Sequence, residues 1–109
     1  MATNLKVLGQ TTGSISNLVV LYQVPTNTQT VCSTITVCNS SSMATSFKIA
    51  IQPGSASIDP KHYIYYNTTI AGFDTFAATF GISLSGSDVV SVQNASASLN
   101  FSLFGQENT

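Results

Sequence analysis

Short stretches in which apolar and polar residues alternate recur along this chain, and Gly, Pro, Asn and Asp punctuate the gaps between them. Alternation with a period of about two is the mark of a β-strand that buries one face. The clearest case is Thr45-Ser46-Phe47-Lys48-Ile49-Ala50-Ile51, with Phe47, Ile49 and Ile51 on one face and Ser46 and Lys48 on the other. Phe76, Ala78 and Phe80 repeat the pattern, as do Leu99, Phe101 and Leu103. No helical period of about 3.6 is sustained, and β-branched, aromatic and Ser/Thr residues dominate.

With the turn punctuation added, the pattern predicts eight strands. The first, Leu5–Leu8, is closed by Gly9 and Gly13, and the second, Leu18–Val24, is stopped by Pro25. Val31–Cys38 follows, with Val31, Ser33, Ile35 and Val37 on one face, and then Thr45–Ile51. Gln52–Pro60 is the one long connection before a fifth strand that begins Tyr63-Ile64-Tyr65-Tyr66. Asp74–Phe80, Val89–Val92 and Leu99–Leu103 complete the set, and Gly105–Thr109 reads as a polar tail. The predicted fold is all-β: a jelly-roll-like antiparallel β-sandwich of about eight short strands. It forms a single domain over residues 1–109, with short polar terminal tails. A seven-stranded immunoglobulin-like sandwich fits less well, because Trp is absent and the cysteines cannot bridge two sheets.

Charge changes the picture more than hydropathy does. Charged residues are only 6% of the 109, where a soluble domain carries about 25%. Ser and Thr stand in their place, 16 and 14 of them. Interspersed charge keeps a lone monomer soluble, so an almost uncharged surface suits a chain packed against copies of itself. Three Lys and no Arg offer no basic stripe for phosphates, which excludes nucleic acid as a partner, and polybasic attachment to a membrane fails for the same reason. Met1-Ala2-Thr3-Asn4-Leu5-Lys6 lacks the apolar core of a signal peptide, which predicts a product made and kept in a cytoplasm.

Candidate chemistry is sparse. Cys32 and Cys38 fall in one predicted strand, where their Cα atoms stand about 20 Å apart, too far for a disulfide. Their even spacing predicts both on one face as buried free thiols. His62 is the only histidine, so one chain offers no His-based metal cluster, and no cofactor or catalytic residue is predicted. Asp59, Asp74, Asp88 and Glu107 stand at strand boundaries or in the tail, where Asp serves turns. Four Asn-x-Ser/Thr sequons, at Asn39, Asn67, Asn94 and Asn100, are expected to be unused without a secretory signal. Tyr63, Tyr65, Tyr66, His62 and Phe73 are the interface candidates. Alternation predicts Tyr63 and Tyr65 on one face of their strand and Ile64 and Tyr66 on the other.

Several stretches resemble a group of small virion proteins of tailed phages, notably those of marine and freshwater cyanobacteria. They are Lys6-Val7-Leu8-Gly9-Gln10, Leu21-Tyr22-Gln23-Val24-Pro25, Thr34-Ile35-Thr36-Val37-Cys38-Asn39, Phe47-Lys48-Ile49-Ala50-Ile51 and Lys61-His62-Tyr63-Ile64. Gly81-Ile82-Ser83-Leu84, Ser87-Asp88-Val89-Val90 and Phe101-Ser102-Leu103-Phe104-Gly105 extend the likeness over nearly the whole chain. It rests on strands and turns, with no chemical signature. What it implies is a non-enzymatic structural protein of the virion, assembled in the host cytoplasm. The leading expectation is a capsid decoration or cement protein, a homotrimer seated on the major capsid protein or another virion protein. A tail, neck or baseplate component is the alternative within that class. A carbohydrate-binding jelly roll using Tyr63, Tyr65 or Tyr66 as a stacking platform is the alternative outside it.

Overall fold

The alternating stretches become strands, and most run further than the pattern alone predicts. The computed structural model describes residues 3–15, 17–96 and 98–109. Its strands are β1 (Thr3–Thr11), β2 (Val19–Gln23), β3 (Gln29–Asn39), β4 (Thr45–Gln52), β5 (Tyr63–Ile70), β6 (Thr75–Leu84), β7 (Val89–Asn94) and β8 (Leu99–Asn108). They form two four-stranded antiparallel sheets, ordered β1-β8-β3-β6 and β2-β7-β4-β5. The first strand pairs with the last, the second with the seventh, the third with the sixth and the fourth with the fifth. The chain is one long antiparallel hairpin, rolled so that successive rungs fall alternately in the two sheets. That is the jelly-roll sandwich.

Inward residues of both sheets interdigitate between them. Phe47 sits fully buried at the centre, its ring centroid 5.1 Å from Phe76, 6.2 Å from Phe101 and 6.5 Å from Tyr65. The rings meet tilted or edge-on, the arrangement their quadrupoles favour. Ile35, Val37, Ile49, Val92, Leu99 and Leu103 are also fully buried. Each such side chain contributes roughly 1.5–3 kcal/mol relative to exposure.

The supposed polar tail is a strand. Residues 105–108 finish β8, which lies between β1 and β3, so both of its edges are paired whatever its side chains are. Gly105 permits the close approach, since a Cβ there would stand 2.3 Å from the Val31 carbonyl oxygen.

Two single-residue bulges explain where the face assignments differ from simple alternation. Leu8 in β1 and Ser33 in β3 are each one residue in excess of β8, on either side of Phe104. A bulge reverses the facing of everything beyond it. Val31 and Ser33 therefore point outward while Ile35 and Val37 point inward. The two thiols divide the same way, which corrects the expectation of two buried cysteines: Cys32 is buried and Cys38 is exposed, both free. Burial pushes the Cys32 thiol up to about 11.

The connection between β4 and β5 carries two single turns of 3-10 helix, Pro53–Ser55 and Pro60–His62. The first packs on β7 and the second on β4, so both turns lie against the second sheet. Asp88 secures it, accepting from the Gly54 N–H at 2.7 Å and from the Ser85 N–H at 3.0 Å.

Candidate interaction surfaces

The outer face of the β1-β8-β3-β6 sheet carries no charge. Among the described residues of these strands the only ionisable acid and base are Glu107 and Lys6, and register turns both inward: Glu107 is opposite buried Thr30, and Lys6 lies in the row of Gly105 and buried Cys32. Outward are Leu5, Val7 and Val31, with Leu5 81% exposed, in rows completed by Gln106, Ser83, Phe104, Thr34, Ser102, Thr36, Asn100 and Cys38.

The two inward charges form a cluster of their own. Glu107 accepts from the Tyr22 hydroxyl at 2.5 Å and from Lys6 Nζ at 3.1 Å, and the Tyr22 oxygen lies 2.8 Å from Thr30 Oγ1. The Tyr22 hydrogen bond holds the Glu107 carboxyl below its usual range, with the Lys6 ammonium acting the same way against the opposing effect of burial. Burial, with the Glu107 carboxylate beside it, pushes the Tyr22 hydroxyl well up. The cluster ties β2 of one sheet to β8 and β1 of the other. Sequence reasoning placed Glu107 in a tail, yet the alternation Leu99, Phe101, Leu103 carried on through Gly105 puts Glu107 inward.

On the second sheet, β5 is the source of relief. Phe47, Ile49 and Ala50 of β4 face Thr68, Tyr65 and Tyr63 in turn, so β5 holds two residues more than β4 over this stretch. Tyr65 falls opposite inward Ile49 and packs edge-on against Phe76 at 5.2 Å. Tyr63 falls opposite Ala50 and meets Tyr66 at 4.9 Å with the ring planes 83° apart. The tyrosines sharing a surface are thus Tyr63 and Tyr66, which corrects the pairing of Tyr63 with Tyr65 by alternation. Lys48 sets its ammonium over the Tyr66 ring, 4.9 Å from the centroid. Ile58, Asp59 and Pro60 close the other side of an open pocket of about 550 Å³.

His62 stands behind this pocket and serves the fold. It is buried, and its Nδ1 accepts from the Asp59 N–H at 3.1 Å while Asp59 Oδ1 accepts from the Lys61 N–H at 3.2 Å. This reciprocal capping fixes the 3-10 turn. Phe73 lies apart, at one end of the sandwich and 75% exposed. Its N–H donates to the Ser41 carbonyl at 2.8 Å, which sets the β5–β6 turn beside the β3–β4 turn and its exposed Met43. Buried Asn39 joins these turns: its Nδ2 donates to the Met43 and Ala71 carbonyls, and its Oδ1 accepts from the Ser41 N–H and Ser98 Oγ. The structure brings Tyr63, Tyr66 and the His62 turn together, sends Tyr65 inward and leaves Phe73 elsewhere.

Compared with models of protein families, with curated proteins and with solved structures, the chain matches none. The reading of its surfaces therefore rests on their geometry.

Proposed function

We propose that this protein is a non-enzymatic structural component of a tailed-phage virion, a decoration or cement protein that forms a homotrimer and seats on the shell through repeated weak contacts. The observation that carries the proposal is the charge-free outer face of the β1-β8-β3-β6 sheet. Covering it desolvates no ion, whereas each buried charge costs several kcal/mol unless it is well paired. Four strands spaced about 4.8 Å apart and roughly 30 Å long span about 600 Å². One such face and the partner surface that covers it together reach the ~1,200 Å² total at which standard specific interfaces begin. The jelly roll is a frequent architecture of capsid proteins, a fold-level analogy that agrees with the likeness of the strand and turn sequences to small virion proteins. Several protomers on one lattice convert modest contacts into stable capture.

The test is the oligomer in solution and the copy number per particle. Light scattering is expected to give a trimer at micromolar concentration, and a clean monomer would overturn the oligomer. Quantitative mass spectrometry of purified virions is expected to give one copy, or a simple fraction such as a third, per major capsid protein. A few to a few tens of copies per particle would place it in the tail or neck instead, and its absence from the particle would end the virion reading.

A further inference from the structure

We propose that the corner formed by Tyr63, Tyr66 and Asp59 is a binding site for a neutral sugar ring. The site lies on the sheet opposite the charge-free face, so an assembly built through that face leaves it open to solvent. Its shape comes from the backbone: the two surplus residues of β5 bring two tyrosines three positions apart into contact, and the capped turn at Asp59 fixes the facing wall. Neither part depends on a ligand to form. The volume of about 550 Å³ falls in the range of small-molecule sites, ~300–1,000 Å³.

The chemistry selects the ligand class. A pyranose presents one face of C–H groups, polarised positive, and a rim of hydroxyls. Two aromatic rings at right angles offer a π face, whose quadrupole is negative, beside a ring edge. Tyr66 is 60% exposed, with the Lys48 ammonium over its ring. The rim needs partners, and the corner has them. Asp59 commits Oδ1 to the Lys61 N–H, and among the described residues no donor reaches Oδ2 or engages the Tyr63 and Tyr66 hydroxyls. A carboxylate oxygen and two phenols stand ready to exchange hydrogen bonds with vicinal hydroxyls.

A charged competitor meets a like charge at this corner. A quaternary ammonium would suit a two-tyrosine corner, but Lys48 already places a cation over Tyr66 and would repel a second. An anionic sugar would meet the Asp59 carboxylate. A neutral ring meets neither obstacle.

Saturation-transfer NMR on the intact protein with the methyl glycosides of glucose, galactose and mannose, at millimolar concentration, tests this directly. Transfer into the ring C–H protons of at least one glycoside is expected. Tyr66→Ala should weaken it about tenfold or more, and Tyr63→Phe, which keeps the ring and removes one hydroxyl, about two- to fivefold. Melting curves establish that both variants are folded. The proposal is overturned if wild type shows no transfer to any of the three, if a folded Tyr66→Ala binds as well as wild type, or if choline binds more tightly than every neutral glycoside. None of these results would bear on whether the opposite face mediates assembly.

Discussion

The two outer faces of the sandwich are built from strands of similar kind, yet one is bare and uncharged while the other carries Lys48, two tyrosines and a covering connection. The difference follows from how the hairpin is rolled. Its tip, the link between β4 and β5, falls in the β2-β7-β4-β5 sheet, and that link is the long one. Relief and capping turns therefore collect on one sheet. The other receives strands alone, bulged at Leu8 and Ser33, and its two charges pair with each other, Glu107 nearly covered and Lys6 half-exposed at the edge strand. A single asymmetry in loop length thus yields one face suited to a broad flat contact and one suited to a small ligand.

The sharpest way to break this contrast lies within β5. Tyr65→Ala removes a ring packed against Phe47 and Phe76 and should cost about 3 kcal/mol of unfolding free energy in urea melts. Tyr66→Ala, one residue on, should stay within about 0.5 kcal/mol. Equal losses would mean that the surplus residues of β5 do not separate an inner tyrosine from an outer one.

A smaller effect is expected between the faces. Val31→Lys sets a charge amid the bare sheet and should raise the dissociation constant of the oligomer about 30-fold, or about 2 kcal/mol. Thr69→Lys, exposed on the other sheet, should leave it unchanged. The reverse outcome in analytical ultracentrifugation would exchange the roles of the two faces.

The smallest effect concerns the charges withheld from the bare face. Glu107→Gln should cost about 1–2 kcal/mol at neutral pH, the difference between hydrogen bonds to an ionised and to a neutral acceptor. The native carboxyl titrates below its unfolded value of about 4.3. Its contribution is therefore complete above that pH and is lost as pH falls through the native value. Melting temperatures of wild type and variant should converge in acid; a constant gap down to full protonation would show that the charge is not what stabilises the cluster.

Much of the architecture was legible in the sequence because strand faces and turn residues are local signals. Phe47, Ile49, Phe101 and Leu103 announce their burial by period, and Pro25, Asp74 and Asp88 mark where strands stop. What escaped was parity. A bulge is one residue of surplus relative to a partner strand, and the partner is far away in sequence, so Ser33 and Tyr66 carry no local sign of it. Every facing error follows from that: Cys38 outward, Val31 outward, Tyr63 beside Tyr66. Glu107 escaped for a different reason, since a polar C-terminal stretch reads as a tail until β1 and β3 are known to flank it.

The pairing of the first strand with the last also sets a clock. Thr3 stands opposite Asn108, so the cross-link between them closes a loop of nearly the whole chain, and contacts so distant in sequence form slowly. On the ribosome β1 has no strand to pair with and β3 lacks one edge until β8 emerges. The bare sheet comes into being only with the final strand, so a growing chain displays no finished surface through which it could join its neighbours on the same message.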